Sequence, residues 1–203
     1  MARDPEGPEA ILGVYRRHAE AFDRHRLKSL FERVWLERFV AAMPEGAAIL
    51  SLGCGSGEPM ERFLIESGHT VTGVDFAPEM LAIARRRFPG QTWVLADMRG
   101  LDLETRFGGV LAWNGFFHLT REDQRAMFAV FARHLDPGGA LMFTSGPDEG
   151  EAVGAVEGDP VYHSSLAPAA YARLIEDAGM QVRRFTAEDP DCDRHSVWLA
   201  RMR

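Results

Sequence analysis

Apolar residues recur at helical spacing from about Glu9 to Ala42, with Leu27, Leu30, Phe31, Val34 and Phe39 three, four or nearly so apart. This periodicity predicts helices across the first fifth of the chain. Met43-Pro-Glu-Gly46 then reads as a turn. Beyond it, short apolar runs alternate with amphipathic stretches. Residues 47–52, 70–74, 92–96, 109–113 and 140–144 read as buried strands. Helices are expected over residues 58–66, 78–87 and 121–135. The second of these has a proline near its first position, and Asp136-Pro-Gly-Gly139 stops the third. Residues 146–167 break the rhythm with many glycines, prolines and acids, which predicts an irregular insertion. A helix over 168–178 follows. Two closing strands, 180–186 and 195–200, are joined by a loop short enough to require antiparallel pairing.

Strands and helices alternating through short connections predict an open, mostly parallel seven-stranded sheet with helices on both faces and an antiparallel last strand. The chain has 203 residues, suited to one domain spanning 1–203, with the N-terminal helices (residues 1–45) as a cap or lid. No run approaches the roughly 18 apolar residues of a membrane span. The first residues, rich in proline, glycine and acids, are expected to be mobile and lack the apolar core of a signal peptide. A cytoplasmic, membrane-free protein is the expectation. The net charge of −7 argues against nucleic acid as a partner. Cys54 and Cys192 lie too far apart in sequence to suggest a metal cluster or a disulfide framework.

The chemistry is expected at the carboxyl ends of the strands, where open α/β sheets bind ligands. The first strand runs into Gly53-Cys54-Gly55-Ser56-Gly57-Glu58, a loop that allows close backbone approach to a ligand before a helix begins. Asp75 ends the next strand, 22 residues after Gly53, where a carboxylate can accept hydrogen bonds from ribose hydroxyls. Together they indicate a nucleoside-containing cofactor. The glycines are spaced two apart throughout, unlike the dinucleotide fingerprint. Glu58 also stands where a pyrophosphate would meet the helix N-terminus, and its charge opposes one. A cofactor without phosphates, carrying an amine and a sulfonium, avoids that conflict, and S-adenosylmethionine fits.

Residues 49–57 (Ile-Leu-Ser-Leu-Gly-Cys-Gly-Ser-Gly), 71–75 (Val-Thr-Gly-Val-Asp), 96–98 (Ala-Asp-Met) and 135–140 (Leu-Asp-Pro-Gly-Gly-Ala) carry a resemblance in their order as well as their content. The sequence resembles the class I S-adenosylmethionine-dependent methyltransferases over about residues 10–203. The resemblance implies a Rossmann-like doubly wound fold. It implies that Gly53, Cys54, Gly55 and Gly57 lie along the methionine portion of the cofactor and that Asp75 holds the ribose. It further implies that Asp97 and Met98 meet the adenine, with Phe76, Met80 and Trp113 completing the pocket. Serine stands at 51 and asparagine at 114, where the family commonly has acids.

His118 is the candidate general base, since an unperturbed imidazole titrates near ~6.5; the alternative is a structural histidine bonded to a carbonyl. Tyr162 and His163 in the insertion are candidate acceptor contacts, or else a solvent loop packed on the sheet. Tyr15, His18 and Phe22 share a helical face, either as core or as a lid over the cofactor, with Tyr15 and Phe22 the candidate substrate contacts. Arg85-Arg86-Arg87 reads as complementing a helix dipole. No Asp/Asn-Pro-Pro-Tyr motif and no Pro-Cys pair is present. The expected reaction is methyl transfer to oxygen or nitrogen of a small molecule by a monomer or homodimer. A non-catalytic cofactor-binding scaffold and a nicotinamide oxidoreductase are the alternatives.

Overall fold

The computed structural model describes residues 7–203. The readings made for the first six residues lie outside that range. Helix α1 (Ile11–His25) and helix α2 (Arg33–Ala42) come first. Then β1 (Ile49–Leu52), α3 (Met60–Glu66), β2 (Val71–Asp75), α4 (Pro78–Arg87) and β3 (Thr92–Leu95) alternate. They are followed by β4 (Phe107–Ala112), α5 (Arg121–His134) and β5 (Leu135–Ser145). A hairpin of β6 (Gly150–Val156) and β7 (Asp159–Ser165) precedes α6 (Pro168–Asp177), β8 (Met180–Asp189) and β9 (His195–Met202).

The main sheet has the order β3-β2-β1-β4-β5-β9-β8. β3, β2, β1, β4 and β5 are parallel, and β9, the last strand in sequence, is antiparallel to both neighbours. This is the Rossmann-like doubly wound sheet expected from the sequence. All residues of β1 and β4 are buried, as a sheet covered on both faces requires. One face packs an aromatic cluster that includes Phe116, Phe128, Phe131, Phe143, Tyr171 and Trp198. The other face packs α2 and α3 through Trp35, Leu36, Phe39, Met43 and Leu64. α2 approaches β4 closely because residue 109 is glycine. A Cβ there would lie 2.1 Å from Met43 Sδ and 2.7 Å from Phe39 Cζ.

Three local expectations are corrected. The N-terminal helical segment breaks between residues 26 and 32, where Leu30 adopts a left-handed φ of 53°. The buried stripe of α2 is accordingly Trp35, Leu36 and Phe39, and Leu27 and Val34 are exposed. Residues 136–139 do not separate helix from strand. They belong to β5, which pairs Leu135 with Phe107 and Ala140 with Gly109 across a bulge. Residues 146–167 are not irregular, since β6 and β7 pair in register from Gly150↔Ser165 to Val156↔Asp159. Their turn is Glu157-Gly158, with φ of 50° and 87°. Two successive positive φ angles make the two-residue connection whose twist matches that of paired strands.

Candidate functional site

β1 and β4 are adjacent, and the chain leaves them toward opposite sides of the sheet. Their carboxyl ends therefore open a crevice. Gly53 and Gly115 meet across it. A Cβ on Gly53 would sit 3.3 Å from Gly115 Cα and 3.5 Å from Met98 Cε. Gly53 and Gly55 hold φ of 70° and 54°, a region that glycine enters without cost. The backbone N–H groups of Gly53 and Cys54 both donate to the Val74 carbonyl, at 2.8 and 3.1 Å, which draws the loop to the end of β2. There Asp75 accepts the Gly55 N–H at Oδ2 (2.9 Å) and the Ala77 N–H at Oδ1 (2.8 Å). Each carboxylate oxygen retains a lone pair. Asp75 is buried, and that burial raises its pKa against the opposing pull of the backbone N–H groups.

The crevice widens into a cavity of about 280 Å³. One side is the glycine loop, Asp75, Phe76 and Met98; the other is Tyr15 and Phe22 of α1 with Val156, Val161 and His163 of the hairpin. His118 fastens this roof. Its Nδ1 lies 2.8 Å from the Tyr162 carbonyl, which can only accept, so Nδ1 carries the proton. Nε2 of the neutral ring then accepts the Tyr15 O–H at 3.0 Å. Burial lowers the His118 pKa to about 4; nearby His163 adds to the effect and the Tyr162 carbonyl opposes it. His163 also has a lowered pKa through burial, and its ring centroid lies 4.9 Å from that of His118.

Charged groups hold α1 over the loop. Asp23 accepts from Ser56 Oγ at 2.6 Å and from Arg87 at 2.8 and 2.9 Å, and Arg87 Nη1 also donates to the Ser56 carbonyl. Glu58 is paired with Arg62 at 2.9 Å and with Arg87 at 3.4 Å. These arginines compensate Glu58, so its charge no longer argues strongly against a pyrophosphate. Arg87 is thus a clamp rather than a dipole complement. Arg85 bonds the Trp93 carbonyl, and Arg86 reaches Glu20. Deeper in the cavity wall, Glu61 accepts the Ser51 hydroxyl at 2.6 Å. Arg26 also lines the cavity. Its Nη2 lies 3.5 Å from Glu32, and its buried Nε has no hydrogen-bond partner among the described residues.

A methyltransferase-domain family model matches residues 49–139, from the first strand through the bulge of the fifth. The chain is 27% identical over 192 residues to a malonyl-[acyl-carrier protein] O-methyltransferase of Pseudescherichia vulneris, covering 93% of this chain and 68% of that protein. It is 37% identical over 101 residues to a dTDP-3-amino-3,4,6-trideoxy-alpha-D-glucopyranose N,N-dimethyltransferase of Streptomyces venezuelae, covering 49% of this chain and 42% of that protein. The match thus spans less than half the length of this sugar-modifying relative. In three dimensions the chain superposes on CalS10, an amino pentose methyltransferase from Micromonospora echinaspora, with a TM-score of 0.72. That similarity, at 22% identity, covers 92% of this chain and 96% of CalS10. The chain thus carries the methyltransferase-domain pattern over residues 49–139 and shares the fold of CalS10.

In this chain, Gly53, Cys54, Gly55, Asp75, Phe76, Met80, Asp97, Met98 and Trp113 all border the cavity, as do Tyr15, Phe22, His118 and His163. Gly57 does not line it. A Cβ there would lie 3.1 to 3.2 Å from Trp93 and Phe88, so this glycine serves close packing beneath the loop. The Tyr162 side chain is also outside the lining, although its carbonyl holds His118. The Trp113 ring stacks on His195, and its buried Nε1 has no partner among the described residues. Asp97 reaches the cavity already bridged to Arg99 at 2.6 to 3.0 Å, which lowers its pKa. Cys54 is buried against Leu81, Ala84 and Trp93. Burial, reinforced by Asp75, raises its thiol pKa, so it acts as a small packing residue.

Sequence reasoning missed Glu61 and Arg26. Glu61 carried a readable signal, because it sits three residues before Leu64 and next to Met60, on the face of α3 that is buried. An acid on an apolar face is the anomaly worth noting. Arg26 carried none, since only the break after α1 turns it inward. Among the described residues no cluster of metal-binding side chains occurs, and no helix is long and apolar enough to cross a membrane.

Proposed function

We propose that this chain transfers a methyl group from S-adenosylmethionine to a small-molecule acceptor, at nitrogen in preference to oxygen, by in-line displacement. The observation that carries the reading is the convergence of the Gly53–Gly55 turn, the Asp75 carboxylate and Met98 on a cavity roofed by α1 and a hairpin. The donor set fits the cofactor. Asp75 has lone pairs for two ribose hydroxyls, Gly53 leaves room where a Cβ would intrude, and Phe76 and Met98 offer apolar surface for a base. S-adenosylmethionine, when bound, supplies a methyl group activated on a positively charged sulfur.

The residues of the chain do the rest. α1 and the hairpin exclude water and hold the acceptor lone pair on line, with reacting atoms about 3 to 3.5 Å apart. Orientation of this kind is the main source of acceleration for a displacement that needs no covalent help from the protein. His118 and His163 stay neutral, so neither opposes a cationic sulfur. His118 is a poor base, because its pKa is about 4 and its lone pair is engaged by Tyr15. An acceptor that brings its own lone pair, a neutral amine, suits such a site better than a hydroxyl. The closed roof and the acidic chain favour small molecules over nucleic acid.

The test is S-adenosylhomocysteine release measured across a panel of small amines and alcohols. Turnover with amines, rising with pH as the amine loses its proton, supports the reading. Turnover with alcohols alone overturns the nitrogen preference. Cofactor binding without turnover on any acceptor favours a non-catalytic role.

A further inference from the structure

The hairpin brings to the cavity one polar side chain that the fold itself does not use. Strand alternation puts Val161 and His163 of β7 on the cavity side and turns the Tyr162 side chain away. Tyr15 and His118 are tied into the roof by their bonds to each other and to the Tyr162 carbonyl. Neither ring nitrogen of His163 has a hydrogen-bond partner among the described residues, and burial alone accounts for its lowered pKa. The ring is nevertheless held. It packs against Phe117 with centroids 4.6 Å apart and against His118 at 4.9 Å. Across the hairpin, next to the Ala152↔His163 pair, stands Gly154. A Cβ there would lie 2.7 Å from His163 Cε1 and 3.2 Å from its Nε2. Glycine weakens a strand interior and marks a place of close approach. Here it seats an imidazole that bonds nothing in the protein. The roof that carries this imidazole is apolar, since Ile11, Val14, Val156 and Val161 form one buried cluster with Tyr15 and Phe22 packed on it. The arginines bordering the cavity are already matched, Arg26 by Glu32 and Arg99 by Asp97 and Asp123. Among the described residues, the cavity wall thus keeps no cation for a phosphate or a carboxylate of the acceptor.

We propose that the acceptor is an apolar amine bearing no phosphate or carboxylate, and that His163 accepts a hydrogen bond from its N–H. The inference rests on the methyl-transfer reading above and names the acceptor's class and its contact. A neutral imidazole has one free lone pair whichever nitrogen holds the proton. As the amine's lone pair forms the new N–C bond, the C–S bond breaks and its electron pair stays on sulfur. The positive charge passes from sulfur to nitrogen, and the nitrogen keeps its protons. Its N–H then donates to His163 more strongly than it did in the bound amine, so the contact stabilises the transition state more than the ground state. The methylated ammonium leaves with its protons, and His163 stays neutral throughout.

Initial rates of S-adenosylhomocysteine release with benzylamine, benzyl alcohol and glucosamine 6-phosphate test this, at a pH where part of each amine is neutral. Benzylamine is expected to exceed the other two by about tenfold or more in kcat/KM, because the alcohol needs a base and the phosphate finds no partner. In His163→Phe, which keeps a ring and loses the lone pair, kcat with benzylamine should fall roughly 10- to 100-fold, the scale of a hydrogen bond to a charged group, while calorimetric affinity for S-adenosylhomocysteine stays within about threefold. His163→Gln, whose amide oxygen can accept the same bond, should recover part of that loss. Gly154→Ala keeps the histidine and crowds its ring, and should lower kcat with the same unchanged affinity. Faster turnover of glucosamine 6-phosphate than of benzylamine, or an unchanged kcat in His163→Phe, overturns the proposal alone. Turnover of the alcohol only removes the nitrogen preference and the proposal with it. A protein that binds S-adenosylhomocysteine yet turns over none of the three overturns the proposal and leaves the cofactor reading intact. A wild-type protein that does not bind S-adenosylhomocysteine removes both. Should His163→Phe fail to fold, Gly154→Ala decides, and an unchanged kcat there refutes the inference.

Discussion

His118→Asn tests whether His118 is a neutral structural bridge or a group poised to take a proton. The folded-state pKa is about 4, while an unfolded histidine titrates near ~6.5. The native state therefore binds the proton less tightly than the unfolded state. His118 contributes to stability above the unfolded value, loses that contribution progressively as pH falls below ~6.5, and has lost it fully below about 4. Because the ring is buried, at 7% exposure, the shift converts to stability with little screening. Linkage between about pH 7.5 and pH 4.5 gives a loss of about 2.5 kcal/mol from this one group. Other titrating groups also act over that range, so the readout is the difference between wild type and His118→Asn in urea unfolding. At neutral pH the variant should be less stable, because it breaks the bridge from Tyr15 to the Tyr162 carbonyl. By pH 4.5 its deficit should shrink by about 2.5 kcal/mol. A deficit independent of pH would mean that His118 is not held neutral by burial, and the case against it as a base would fail.

Asp23→Asn should destabilise the fold by about 2 kcal/mol in urea unfolding, because it removes the charge from the bonds to Arg87 and Ser56. It should also accelerate ligand release in stopped-flow measurements, since those bonds hold α1 against the glycine loop. Gly109→Ala should cost about 1 to 3 kcal/mol, as its Cβ meets Phe39 and Met43, with ligand affinity unchanged. Asp75→Asn should weaken S-adenosylhomocysteine and 5′-methylthioadenosine alike by roughly tenfold or more, since both present ribose hydroxyls to the same carboxylate. Weakening of S-adenosylhomocysteine alone, with 5′-methylthioadenosine unaffected, would move Asp75 away from the ribose.

The sheet was legible because each parallel strand is a compact apolar run closed by turn chemistry. α4 was read to the residue, from Pro78 to Arg87, since proline at its start and a basic last turn mark both ends. The hairpin was missed for a physical reason. Glycines and acids were read as chain breakers, whereas Glu157-Gly158 is a turn and Val153, Val156 and Val161 are strand residues around it. The roof of the cavity went with it, because Val156, Val161 and the Tyr162 carbonyl act only once β6 and β7 pair. Strand-end residues such as Asp75 were found because topology alone places them. Glu61 and Arg26 depend on tertiary neighbours. The Ser51–Glu61 bond spans ten residues, and Arg26 leaves the helical path at the end of α1, a break that periodicity does not reveal.

The central claim is that the crevice between β1 and β4 holds S-adenosylmethionine. Its most direct test is calorimetric titration of the purified chain with S-adenosylmethionine, S-adenosylhomocysteine and NAD. The account predicts one-to-one binding of the first two in the micromolar range, abolished in Gly53→Val, with no measurable heat from NAD. Tighter binding of NAD, or no binding of either sulfur nucleoside by a folded protein, would contradict it.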